Sequence, residues 1–205
     1  MKTDDLIDAL AVDLPAEKSY RADRKVLLWM IPAGVLVVAS VYGLLGFRPD
    51  LVSVSMTLTF WAKAAYTIAM AVIGFWLLDR LGRPGASARK PLIALMVVAA
   101  IVTIAALVEL FSMPRSERMP MLMGDSARYC VPLIAILSLV AAPFIFASAR
   151  SFAPTRPALA GAAAGLLTAG LAATLYGLHC PVRAAAFVAV WYSLGMALAV
   201  VGGAI

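Results

Sequence analysis

Six long apolar runs alternate with shorter polar stretches along this chain: Val26–Leu45, Leu58–Leu78, Pro91–Phe111, Val131–Ala147, Ala158–Leu178 and Ala184–Ile205. Each holds about 17–22 residues, and at about 1.5 Å rise per residue a helix of that length crosses a hydrocarbon core of about 30 Å. The runs are continuous rather than alternating, which predicts helices and excludes a transmembrane β-barrel. The expected fold is therefore all-α, a polytopic membrane protein with six transmembrane helices over residues 26–205. The first 25 residues are polar and the first run is long enough to span, so no cleavable signal peptide is expected.

Residues 1–25 form a separate cytoplasmic segment in this scheme. Thr3 is a good N-cap, and Asp4 and Asp5 would occupy the first turn, where the helix dipole favours acids. Leu6, Ile7, Leu10 and Leu14 fall within about 100° of helical arc, while Asp4, Asp5 and Asp8 point away. Pro15 ends the helix near Leu14. Such a short amphipathic helix is marginal in water alone and needs a surface to cover its leucines. A lipid surface is one candidate, but interfacial helices are usually basic. Residues 1–17 carry Asp4, Asp5, Asp8, Asp13 and Glu17 against the single cation Lys2. That balance favours a basic protein partner.

Composition agrees with the pattern. The chain is 63% hydrophobic and 14% charged, whereas a soluble domain carries about a quarter charged residues. Lysine and arginine set the orientation. Lys2, Lys18, Arg21, Arg24, Lys25, Arg80, Arg83, Arg89, Lys90, Arg150 and Arg156 fall on one side, eleven in all, against Arg48, Arg115, Arg118, Arg128 and Arg183, five, on the other. Both termini are accordingly expected in the cytoplasm. The net charge of +6 is then mostly an orientation signal, and no direct nucleic-acid binding is expected from it.

The two cysteines fall on the same side. Cys130 stands just before the fourth run and Cys180 just after the fifth, both facing the periplasm or extracellular space, where disulfides are permitted. They would bridge if their Cα atoms lie about 4.4–6.8 Å apart. They could instead hold a soft metal ion, with His179 as a third ligand. Two unrelated thiols at helix ends are the third possibility. Arg128, His179 and Arg183 neighbour them in sequence and would favour thiolate if also near in space.

Other chemistry is sparse. There is no P-loop, G-x-S-x-G, H-E-x-x-H or C-x-x-C, and His179 is the only histidine, so no catalytic residue and no resident cofactor are expected. Met113, Met119, Met121 and Met123 suit apolar anchoring better than Cu(I) binding. Lys63 and Glu109 are ionisable residues within the runs, both toward the outer leaflet, and are expected to interact or to snorkel outward. Gly161, Gly165 and Ala169, and again Gly195, Ala199 and Gly203, form small-xxx-small faces for close helix packing. A membrane thiol oxidoreductase and a small subunit of a membrane complex are the alternative classes.

The opening Met1-Lys2-Thr3-Asp4-Asp5-Leu6-Ile7-Asp8-Ala9-Leu10, the six runs, Cys130, and His179-Cys180-Pro181 before Trp191-Tyr192 together resemble the NrsF family. Its members are bacterial inner-membrane anti-sigma factors, named as negative regulators of sigma-F. The resemblance implies a non-enzymatic regulator that holds an extracytoplasmic-function (ECF) sigma factor at the bilayer. It also implies that Cys130 and Cys180 sense a stress such as heavy metal or oxidant, and that the segment around Asp4–Leu14 binds the sigma factor. In the switch this suggests, oxidation or metal binding draws the outer ends of the fourth and fifth spans together, and the sigma factor leaves.

Overall fold

The computed structural model describes residues 20–205 apart from positions 84, 125 and 151. Six helices in it are long and apolar enough to cross a membrane. The first, α1 (Tyr20–Ser40), runs on through a π-helical turn, Val41–Leu45. A short α2 (Leu51–Ser55) leads into α3 (Leu58–Leu81), followed by α4 (Arg89–Ser112). A further short helix, α5 (Arg115–Met123), precedes α6 (Ala127–Ala149) and α7 (Pro157–Tyr176). The last, α8 (Ala185–Ala204), contains a second π-helical turn at Val188–Tyr192. No strand occurs among the described residues.

Glycine and alanine decide which helix is central. α7 packs against α3, α6 and α8, and its Ala163, Ala164, Leu167, Ala169, Ala172 and Ala173 are almost completely buried. Close approach is needed on two of its faces. A Cβ at Gly74 of α3 would lie 2.5 Å from the Leu167 backbone nitrogen. A Cβ at Gly161 or Gly165 would strike the carbonyls of Gly203 and Ala199 on α8. Gly161 and Gly165 of the one small-residue face therefore pack backbone to backbone with Gly203 and Ala199 of the other, as their spacing predicts. Gly195 instead faces Ile134 of α6.

α1 lies on the other side of the bundle, against α6. α4 is peripheral: of its 24 residues only Pro91 and Ala106 are buried. Its Met96, Ile101, Ile104, Val108 and Phe111 are exposed, as are Ile31, Val35 and Leu139 elsewhere. Such a surface suits hydrocarbon and would be a liability in water. α1, α4 and α7 finish, and α3, α6 and α8 begin, at one end of the bundle.

Candidate thiol site

The two cysteines meet at that end. Cys130 sits in the first turn of α6 and Cys180 in the connection between α7 and α8. Their sulfurs are 4.0 Å apart, both thiols are free, and both are fully buried. A disulfide bond is about 2.05 Å long, so the pair is adjacent but unbridged. The up-and-down order of the helices brings residues 50 positions apart to one place.

Two tyrosines close over the sulfurs. Tyr176, in the last turn of α7, places its hydroxyl 3.4 Å from the Cys130 sulfur. Tyr192 stacks on Tyr176 at 5.8 Å between ring centroids and is itself fully buried. Its hydroxyl has no hydrogen-bond partner among the described residues. The π-helical turn Val188–Tyr192 supplies this placement, because one extra residue in the turn re-aims the side chains that follow.

Two cations converge on the Cys180 carbonyl. Lys63 Nζ donates to it at 3.3 Å and to the Val182 carbonyl at 3.1 Å. The same ammonium lies 4.6 Å from the centroid of the Tyr192 ring. Arg48 Nη1 also donates to the Cys180 carbonyl, at 3.3 Å. Arg48 is itself held by a bidentate pair with Asp50, Nε–Oδ1 at 2.6 Å and Nη2–Oδ2 at 2.7 Å. That hydrogen-bonded pairing holds the Asp50 carboxyl below the usual carboxylate range and raises Arg48. The Cys180 thiol is held below the ordinary thiol range, first by its hydrogen bond with Cys130 and then by the Lys63 charge, against the opposing cost of burial.

The expected neighbours of the thiols are mostly elsewhere. Arg128 is exposed. Arg183 reaches Asp50 at 3.4 Å. His179 Nδ1 hydrogen-bonds the Gly46 carbonyl at 2.8 Å, with its ring 5.8 Å from that of Tyr176. Among the described residues no three of histidine, cysteine, aspartate and glutamate stand close enough to hold a metal ion. Lys63 and Glu109 do not pair. Lys63 turns inward to the Cys180 loop, whereas Glu109 Oε2 accepts the Ala186 N–H at 2.9 Å and so caps the start of α8. Each ion found a backbone partner nearer than the other ion.

Sequence reasoning missed Lys63, Arg48, Tyr176 and Tyr192 as parts of this site. In the sequence Arg48 reads only as a topology charge, and nothing in the local pattern marks it otherwise. Tyr176, four residues before Cys180 and so one helical turn away, carried a usable signal. The candidate sigma-binding residues Asp4, Asp5, Leu6, Ile7, Asp8, Leu10 and Leu14 lie outside the described residues. Met113, Met119 and Met123, flanking or on α5, are exposed; α5 is tied to α8 by the Trp191 Nε1 donor on the Leu122 carbonyl at 2.8 Å.

The described residues define a small all-helical bundle of six helices long and apolar enough to cross a membrane, with a buried thiol pair at one end. Residues 10–205 match the family described as negative regulator of sigma F. The chain belongs to that family, NrsF. It is 40% identical over 205 residues to the anti-sigma-F factor NrsF of Caulobacter vibrioides, covering 99% of this chain and 96% of the relative. It is 35% identical over 206 residues to the probable anti-sigma-F factor NrsF of Azospira oryzae, covering 96% and 92%. No solved structure matches the chain.

Proposed function

We propose that this chain is an anti-sigma factor of the bacterial inner membrane, with both termini in the cytoplasm and Cys130 and Cys180 at the periplasmic end. It sequesters an ECF sigma factor through the N-terminal segment 1–25, whose first 17 residues are acidic, and releases it when the thiol pair meets oxidant or a soft heavy-metal ion. Membership of a family of sigma-factor regulators supports the partner. The single observation that carries the sensing is the 4.0 Å approach of two buried, free thiols, at the end of α1 remote from Tyr20. A helix from Tyr20 to Leu45 is about 40 Å long, so the thiols and the Tyr20 end of α1 stand about a membrane's thickness apart.

The charge pattern supports the orientation, and the acidic leucine-bearing segment suits a basic sigma-factor surface. A shift of bound sigma factor from 99% to 1% requires about 5.5 kcal/mol of differential binding. Thiol chemistry reaches that scale, since about 30 mV corresponds to 1.4 kcal/mol.

The test is affinity capture from solubilised membranes, comparing the full chain with one lacking residues 1–17, under reducing conditions and after oxidant. A sigma factor retained only by the full chain and lost on oxidation is expected. The Cys130→Ser, Cys180→Ser double variant should still retain it but no longer let go. Capture of stable membrane subunits and no sigma factor would replace this function with a structural role in a complex.

A further inference from the structure

α4 does not close on the bundle along its whole length. Near the thiols its Glu109 takes the Ala186 N–H at the start of α8. Toward the opposite end a cleft of about 500 Å³ lies between α4 and the bundle, walled also by α3, α7 and α8. Its lining is alanine, leucine, methionine and valine, apart from Tyr66, Ser193 and Arg156. The two hydroxyls satisfy each other, Tyr66 to Ser193 at 2.6 Å, which leaves Arg156 as the polar group open to a ligand. The α7 wall runs from Arg156 to Leu166, about 15 Å at 1.5 Å per residue. That is half of a hydrocarbon core of about 30 Å, the share of one leaflet.

The Arg156 end of the cleft is electropositive. Arg156 is exposed and has no ion pair or side-chain hydrogen bond among the described residues. It is the N-cap residue of α7, and Ala88, which also lines the cleft, is that of α4. Neither helix start carries a side-chain capping bond. Two helix N-termini thus meet one arginine, and each favours an anion. The connections at this end, residues 79–90 and 148–157, add Arg80, Arg83, Arg89, Lys90 and Arg150 against one acid, Asp79, which Arg83 holds.

Resting on the membrane location and orientation proposed above, we propose that this cleft binds an anionic phospholipid of the cytoplasmic leaflet, one acyl chain between α4 and α7 and the phosphate on Arg156. Basic pockets between spans on the cytoplasmic side hold anionic headgroups in this way. A helix from a second copy fits poorly, since a cylinder about 10 Å across fills about 1,200 Å³ over the same length, more than twice the space. The acyl chain supplies the contacts that α4 and α7 do not make with each other.

The experiment is native mass spectrometry of the full chain, reconstituted in vesicles of equal phosphatidylglycerol and phosphatidylcholine and extracted in mild detergent. Retention of one phosphatidylglycerol per chain, in preference to phosphatidylcholine, is expected. Arg156→Gln should weaken that retention by about fivefold, the contribution of one basic residue to anionic-lipid binding. Arg150→Gln removes an exposed cation of the same end outside the cleft and should leave retention unchanged. Ala162→Phe fills the cleft from α7 and should abolish retention in a chain of unchanged circular dichroism. Equal retention of the two lipids would overturn the proposal. Equal losses in Arg156→Gln and Arg150→Gln would overturn it too, as diffuse surface attraction. Paired chains that separate in Ala162→Phe would give the cleft to a second copy instead. A chain that does not enter the vesicles would sink the membrane reading along with the proposal. A chain that holds phosphatidylglycerol here yet captures no sigma factor would leave the lipid site standing without the regulatory role.

Discussion

Gly74→Ala tests the packing on which the site depends. The added methyl would sit 2.5 Å from Leu167 N, 2.9 Å from Leu167 Cα and 3.0 Å from Leu166 C. Ordinary contacts between non-bonded heavy atoms lie near 3.5–4.0 Å, so α3 and α7 must part by about 1 Å. All three atoms are backbone, and no rotamer change relieves them. Overpacking of this kind costs about 1–3 kcal/mol. Alanine recovers part of that through helix propensity, up to about 1 kcal/mol. Gly202→Ala isolates the clash, because a Cβ there meets nothing within 4 Å while the propensity gain is shared. The difference between the two variants should therefore be about 1–3 kcal/mol. SDS-driven unfolding in mixed micelles, followed by circular dichroism, measures it. Equal stability of Gly74→Ala and Gly202→Ala would refute the close approach of α3 to α7, and with it the placement of Lys63 against the Cys180 loop.

Glu109→Ala leaves the Ala186 N–H without its acceptor and should destabilise the chain by about 0.5–2 kcal/mol, as loss of a helix cap does, with faster amide exchange at the start of α8. Arg48→Lys gives up the bidentate pair with Asp50 and should raise hydrogen exchange across residues 178–183; unchanged protection there would count against the clamp. Because the Asp50 carboxyl is depressed in the folded state, the stability it contributes is fully present above its unfolded value of about 3.9 and is lost as pH falls through the lower folded value. Loosening of the Cys180 loop on acidification should thus begin only below about pH 4, and a transition between neutral pH and that point would assign it to another group.

The six helices were legible because lipid-length apolar runs are an unambiguous signal, but their ends were not. Hydropathy marks where apolar side chains stop, whereas a helix continues as long as its backbone hydrogen bonds do. α4 therefore begins at Arg89 and α6 at Ala127, ahead of the runs starting at Pro91 and Val131. α5 was hidden by Pro114, Pro120 and Gly124, which read as loop. Pro114 in fact precedes the first turn and Gly124 closes the last one with positive φ. The two π-helical turns leave no trace in the pattern, since each depends on one residue added to a hydrogen-bond ladder. The cysteine pair was legible from topology alone. Its surroundings were not, because whether Lys63 meets Glu109 or the Cys180 carbonyl depends on how side chains reach across helices, which periodicity does not encode.

Closing the sulfurs from 4.0 Å to a bond of about 2.05 Å requires about 2 Å of movement, and the structure constrains where it can fall. The buried alanines of α7 leave it little room to approach its neighbours, since close-packed interiors yield very little. A simple drawing-together of the fourth and fifth spans is therefore the costly route. The connection carrying Cys180 is the softer element, but its carbonyls are tied to Lys63 of α3 and to Arg48 beside the end of α1. Cys130 rides on α6, against which α1 packs. Displacing the Cys180 loop thus loads α1 through Arg48 and α3 through Lys63, while displacing Cys130 loads α1 through α6. Under the proposed function α1 is the helix that continues into the sigma-binding segment. It is also the helix on which both halves of the thiol pair act.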